Sequence, residues 1–474
     1  MVLGIAQLMV VLDATIVNIA LPHAQADLGI TDANRQWVMT AYTLAFGGLL
    51  LLGGRIADYW GRKRTFLVGS VGFAVASALG GLATNGELLF AARALQGAFG
   101  ALLAPAGLAL LTVLFTEAHE RAKAFAVYGA IAGGGAAVGL VLGGVLTESL
   151  DWRWCLLVNV PVAILLIFLA LPIVPESKAH GDTRYDIPGA VTATLGLTSL
   201  VYGFTKAAES GWDAASTLGF IGAGVALLIL FVVIELRSKN PLLPMRILLD
   251  RNRGGAFLSS LLVGAGMMGA FFFLTFYFQQ VLLYSPVKAG LASLPITAGV
   301  FVSAGLASRL VPKLGPKPLM VTGAVLAAVG LAWLTQIGVA TAYATHVLPA
   351  QLILGLGMGF VFVPLSSLAL MGVPEHDAGA ASATLNATQQ VGGSLGAALL
   401  NTFATTAFTA YMVDHPPASP EGAKLVMAEA AVHSYVTAFA WGAGMLMLAG
   451  IAAALVIKAG KADVGQGAQA VHLG

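Results

Sequence analysis

Runs of about twenty apolar residues recur along almost the whole of this 474-residue sequence, and each is long enough to cross a hydrocarbon layer roughly 30 Å thick as a helix. Inside such a layer no water is available to a bare N–H or C=O, so the backbone must close its hydrogen bonds within each segment. An all-α polytopic membrane protein is therefore expected. The composition agrees: 58% of residues are hydrophobic and 10% charged, against about a quarter charged in ordinary soluble domains, so a soluble fold is excluded. The first run starts at Val2 with no basic segment before it and no small-residue cleavage site after it. It reads as a span and not as a signal peptide, with a short cytoplasmic segment expected ahead of it.

Hydropathy places spans near residues 2–22, 36–57, 66–84, 88–113, 124–147, 154–173, 187–206 and 216–236. Six more follow near 255–283, 289–310, 318–337, 345–371, 381–408 and 435–457, about fourteen in all. With a cytoplasmic N-terminus, eighteen of the 24 lysines and arginines fall in inner loops and span ends and five in outer ones, Arg93 being the remaining one. That asymmetry predicts both termini in the cytoplasm and an even number of spans.

Two short loops look alike, Arg55 to Lys63 and Arg309 to Lys317, each joining the second and third spans of a six-span block. Gln96-Gly97-Ala98-Phe99-Gly100 with Pro105 is echoed by Gly355-Leu356-Gly357-Met358-Gly359 with Pro364. The expected division is a six-helix bundle at 1–174, two inserted helices with their linkers at 175–254, a second six-helix bundle at 255–458, and a cytoplasmic tail at 459–474. Repeats of this kind are typical of secondary transporters, whose substrate site lies near the bilayer midplane.

Four segments resemble the major facilitator superfamily and, within it, the fourteen-span drug:proton antiporter branch. Leu12 to Pro22 is similar to the first-span signature of that branch, and Gly54 to Arg64 to the superfamily's loop between spans two and three. Arg93 to Gly97 resembles the fourth-span motif, and Gly133 to Gly144 the antiporter motif of the fifth span, with Leu140 standing where the family has a proline. The resemblance implies a major facilitator fold and proton-driven efflux of drugs.

Asp13 lies near the middle of the first span, where insertion scales charge roughly 2.5–3.5 kcal/mol for an aspartate. Two readings meet that cost. Asp13 is a proton site, because desolvation favours a neutral carboxyl and lets conformational change control protonation, or it is a structural carboxylate bonded by neighbouring helices. Arg93 shares a helix face with Gln96, Gly97 and Gly100, so it is expected to face a cavity. The resemblance implies a part in proton transfer or in holding an acidic partner ionised; an arginine snorkelling to the outer interface is the alternative. Glu148, close to Asp151 and Arg153 at the outer end of the fifth span, is a second proton-site candidate.

Asp58, Gly61 and Arg62, with Lys63 and Arg64, form a tight cytoplasmic loop. The resemblance implies a gating contact through Asp58, and a topology anchor is the other reading; Pro312 takes the place of Asp58 in the second repeat. Gly139 and Gly143 continue a small-residue stripe from Gly135 that permits close helix contact. Asn386, Gln389 and Gln390 lie on one face of the thirteenth span, either as a polar cavity wall or as interhelical packing amides. Phe272, Phe276 and Gln279 of the ninth span complete the substrate-cavity candidates with Asn18, Tyr42 and Gln96. Aromatic faces suit bulky apolar or cationic guests, although phenylalanines also face lipid in any span.

No Gly-x-x-x-x-Gly-Lys phosphate loop occurs, so the expected energy source is a gradient, with no cofactor. No His-Glu-x-x-His or clustered Cys/His pattern points to an enzyme or a metal, and no basic patch points to nucleic acid. The single cysteine, Cys155, reads as structural. The expected protein is a monomeric cell-membrane antiporter that exchanges protons for small, lipophilic or cationic drugs. Export of an endogenous metabolite or lipid is the runner-up. A non-transporting sensor or scaffold would need an output domain, and the non-membrane stretches near 174–186, 237–254 and 409–434 are too short for one.

Overall fold

A computed structural model of the chain describes residues 2–115, 118–178, 186–238, 241–243, 245–373, 375–417 and 419–459, and these residues form helices and their connections with no β-strand. They divide into two compact units.

The first unit comprises Met1–Leu200, Phe220–Leu242 and Ser285–Leu291. It holds α1 (Val2–Leu28), α2 (Trp37–Trp60), α3 (Arg62–Gly81), α4 (Gly86–Leu114), α5 (Ala118–Ser149), α6 (Trp154–Leu157) and α7 (Asn159–Ile173). Helix α1 packs on α5, α2 on α4, and α3 on both α4 and α7. Small residues set these approaches. A Cβ on Gly97 would overlap the Tyr42 carbonyl of α2, and one on Gly143 would come 2.7 Å from the Ile16 carbonyl of α1. Between lipid-facing helices association rests on such close van der Waals fit.

The second unit comprises Val201–Gly219, Leu243–Tyr284 and Ala292–Gly474. The inserted pair, α8 (Ile187–Ser210) and α9 (Ala215–Arg237), is shared out: residues 187–200 and 220–237 belong to the first unit and 201–219 to the second. In the first, Thr194 of α8 lies against Gly48 of α2; in the second, Thr402 donates to the Phe204 carbonyl at 2.8 Å. After the short α10 (Met245–Leu248) come α11 (Arg251–Phe276), α12 (Pro286–Leu314, of which 286–291 belong to the first unit), α13 (Pro316–Leu334), α14 (Leu348–Leu370), α15 (Glu375–Asp414) and α16 (Pro420–Val456). Helix α11 packs on α15 and α16, and α13 on α14 and α16, so the second unit repeats the pairings of the first.

The repeat extends to detail. Helices α2 and α3 meet at Gly61 (φ 127°), and α12 and α13 meet at Gly315 (φ 84°), each a one-residue joint. Both angles are in the region that favours glycine. Gly355 of α14 lies on the Ile296 carbonyl of α12 as Gly97 of α4 lies on that of Tyr42, so the two glycine motifs occupy matching places.

Among the described residues, twelve helices are long and apolar enough to cross a membrane. The other two expected spans fall on α5, whose described apolar stretch Gly134–Ser149 is shorter, and on α15, whose Ser, Thr, Asn and Gln content lowers its hydropathy. Helices also outrun the expected spans. Residues 409–434, read from hydropathy as a connection, belong largely to the ends of α15 and α16, with Ser419 capping α16 through the Gly422 amide at 3.0 Å. Hydropathy marks the part of a helix that lipid covers, whereas caps mark where it ends.

Candidate functional site

The close crossing at Gly97 brings Arg93, one turn earlier on α4, against α2, where its Nε donates to the Val38 carbonyl at 3.0 Å. Its Nη1 donates to Asp13 Oδ2 of α1 at 2.7 Å and to Gln96 Oε1 at 2.6 Å. Gln96 Nε2 in turn donates to Asp13 Oδ1 at 2.7 Å and to Ser77 Oγ of α3 at 2.6 Å. A fifth helix contributes as well: Asn159, the first residue of α7, donates through Nδ2 to Asp13 Oδ1 at 2.7 Å. This amide orientation of Gln96 is the one that lets its oxygen meet the arginine and its nitrogen the carboxylate.

Asp13, Arg93 and Gln96 are wholly shielded from solvent. Removing two charges from water costs several kcal/mol per ion, and only good geometry with further hydrogen bonds offsets it. Here the carboxylate has three donors and the guanidinium three acceptors, which provides that geometry. The guanidinium also lies over the Tyr42 ring, 4.5 Å from its centroid, adding cation–π attraction. Two polar atoms beside the pair, Arg93 Nη2 and the Tyr42 hydroxyl, are buried without a partner among the described residues.

Three residues singled out in the sequence, Asp13, Arg93 and Gln96, thus meet in one network, with Tyr42 beneath it. Asn18 is buried on α1 but is not among the donors to Asp13. Glu148 is exposed at the end of α5 and accepts from the Val287 amide at 3.0 Å, within the first unit. Gly139 packs on the Thr15 side chain of α1 and Gly143 on the Ile16 backbone, the helix contact expected of that stripe.

At the α2–α3 joint, Arg62 Nη2 and Nε bond Asp58 Oδ1 at 2.8 and 3.2 Å. A residue passed over in the sequence organises this loop. Glu176, beyond α7, accepts from the amides of Lys63 and Arg64 at 3.1 and 3.3 Å, placing a negative charge on the first turn of α3, where the helix dipole favours it. The only hint was an acidic residue in the connection after the sixth span.

In the second unit, Phe272 and Phe276 are buried, their ring centroids 5.2 Å apart, and Phe273 beside them packs on Tyr435 and Phe439 of α16. Gln279 lies half-buried in a π-helical turn, Tyr277–Val281, that continues α11. Asn386 is exposed and donates to the Ser382 carbonyl at 3.1 Å, while Gln389 and Gln390 are half-buried, the Gln389 carbonyl touching Gly264 of α11. Sequence reading also passed over Gln351. It stands four residues before Gly355, as Arg93 stands before Gly97, and is fully buried with neither amide atom bonded among the described residues.

The sequence model of the Major Facilitator Superfamily matches residues 3–397 of the chain. The puromycin resistance protein pur8 of Streptomyces alboniger is 50% identical over 459 residues, 95% of this chain and 89% of the relative. The cephamycin export protein CmcT of Amycolatopsis lactamdurans is 42% identical over 404 residues, 84% of this chain and 82% of the relative. Among solved structures, a bacterial homolog of the human lysosomal transporter Spinster, in an inward-facing and unoccupied conformation, superposes with a TM-score of 0.68. It is 13% identical, with 98% of this chain and 97% of that one covered; at this identity the likeness concerns the fold alone.

Proposed function

The chain belongs to the major facilitator superfamily, as a multi-pass transporter of the cell membrane related to drug-resistance and export proteins, and on that premise we propose that it exports small lipophilic or cationic drugs in exchange for protons. The observation that carries this reading is the buried Asp13–Arg93 pair at 2.7 Å, closed by Gln96 and Asn159. An exchanger needs a group whose protonation and conformation are linked. A proton arriving on Asp13 removes the charge that Arg93 neutralises, leaving a buried guanidinium uncompensated and so favouring an arrangement in which it finds other partners. Arg93 Nη2 keeps an N–H to donate, and the Tyr42 hydroxyl, whose ring lies under the guanidinium, has bonding capacity to spare.

In this reading the chain has fourteen spans, counting α5 and α15 with the twelve apolar helices, and both termini are cytoplasmic by the distribution of lysine and arginine. It acts as a monomer by alternating access, the proton gradient supplying the energy. Asp58 and Arg62 belong to the cytoplasmic loop that moves between states, and Glu176 ties that loop to the end of α7. Export of an endogenous metabolite is a second reading, favoured by the likeness to a cephamycin export protein.

The test is proton flux in proteoliposomes on adding ethidium, comparing the natural chain with Asp13→Asn. Substrate-triggered proton movement that the substitution abolishes is expected. No proton response to any of a panel of cationic and neutral drugs would defeat the exchange mechanism, and an unaffected variant would remove Asp13 from it.

A further inference from the structure

The ends of α15 and α16, with the segment that follows α13, border an open cleft of about 460 Å³ in the second unit. Its apolar wall comes from Ile337, Val339, Val432 and Val436, and its polar wall from Tyr411, Glu429 and His433. The Tyr411 hydroxyl donates to Glu429 Oε2 at 3.2 Å. The Tyr411 ring stacks on His415 with centroids 4.2 Å apart and planes 16° apart, and lies 5.3 Å from His433. Tyr411 and His433 thus line the cleft beside one half-buried carboxylate, Glu429, that has no cationic partner among the described residues.

We propose that this cleft binds organic cations carrying an aromatic or branched aliphatic body. The volume is within the range of roughly 300–1,000 Å³ typical of small-molecule sites. Among the described residues, Glu429 is the one acidic side chain in the lining, so the cleft favours a cation over an anion. The Tyr411 and His433 rings offer faces to the charge and to the ligand's own rings, and the valine wall takes the apolar body. Among the described side chains near these helix ends, the other acidic and lysine groups, Asp414 and Lys424, are exposed and outside the lining. The cleft's place on the outward face, as a stop for substrate on its way out, rests on the proposed export function; the binding chemistry does not.

The experiment is equilibrium binding of tetraphenylphosphonium to the purified full-length protein at pH 7.5, with Lys424→Gln, Glu429→Gln and Val339→Trp beside the natural chain. Binding is expected to be unchanged in Lys424→Gln, an exposed position outside the lining, to weaken at least tenfold in Glu429→Gln, and to vanish in Val339→Trp, where the indole fills the cleft. Each variant is checked by thermal unfolding and gel filtration; should Glu429→Gln fail to fold, His433→Leu takes its place with the same expected loss. Unchanged affinity in folded Glu429→Gln and Val339→Trp overturns the proposal. Carboxylate-dependent binding without any substrate-driven proton movement would sustain the cleft and defeat the exchange mechanism, whereas proton-coupled transport with cleft-independent binding would do the reverse.

Discussion

Replacing Asp13 by asparagine keeps the shape of the side chain and removes its charge, leaving Arg93 fully buried with no counter-charge among the described residues. The new amide cannot serve all three donors: whichever way it turns, an N–H faces Arg93 Nη1 or the two amide nitrogens of Gln96 and Asn159. Breaking a buried pair on one side costs about 3–5 kcal/mol. At about 2.1 cal/mol/K per residue, a 474-residue chain loses roughly 1 °C of melting temperature per kcal/mol, so Asp13→Asn should lower it by at least about 3–5 °C. Pairing it with Arg93→Met removes the stranded charge and lets the amides at 13, 96 and 159 satisfy one another, so the double variant should recover most of that loss while remaining transport-dead. The assay is fluorescence-monitored thermal unfolding of the detergent-purified protein at one fixed scan rate, because unfolding of such proteins is commonly irreversible. A double variant as unstable as Asp13→Asn alone would refute the reasoning, since the cost would then not come from the uncompensated guanidinium.

Gly97→Leu should prevent accumulation of folded protein, because its Cβ alone overlaps the Tyr42 carbonyl at the α2–α4 crossing; Western quantification of membrane fractions checks this, against Gly134→Leu, where nothing lies within 4 Å of a Cβ. Phe273→Ala should cost about 3–5 kcal/mol through the cavity left against Tyr435 and Phe439, while Phe271→Ala, at a partly exposed position, should cost far less in the same melts. Gln351→Met should raise the melting temperature, since it removes two buried polar atoms without partners, each worth about 1–3 kcal/mol of desolvation; a lower melting temperature would mean that the amide is satisfied in the membrane.

The helices were legible from residue order because a helix closes its hydrogen bonds with residues four apart, and lipid makes apolar runs unmistakable. The glycine-centred loops and the glycine-rich fourth and twelfth expected spans also exposed the repeat, and the joints at Gly61 and Gly315 display it. Hydropathy was weaker at the helix ends, so the ends of α15 and α16 that border the open cleft read as a connection. Asp13, Arg93 and Gln96 stood out as polar residues in apolar runs, since such residues are tolerated only when something compensates them. The compensation itself is tertiary. Asp13 and Arg93 are 80 residues apart, and nothing local indicates that they meet, or that Ser77, Asn159 and the Val38 carbonyl complete the network. Nor could periodicity distinguish Phe273, buried against α16, from Phe271, partly exposed two residues before it. Residue order determined which segments are helices and where charge would be costly; which helices lie side by side, and therefore which polar atoms neutralise one another, was decided by lateral packing, because that depends on small-residue fits between surfaces far apart in the chain.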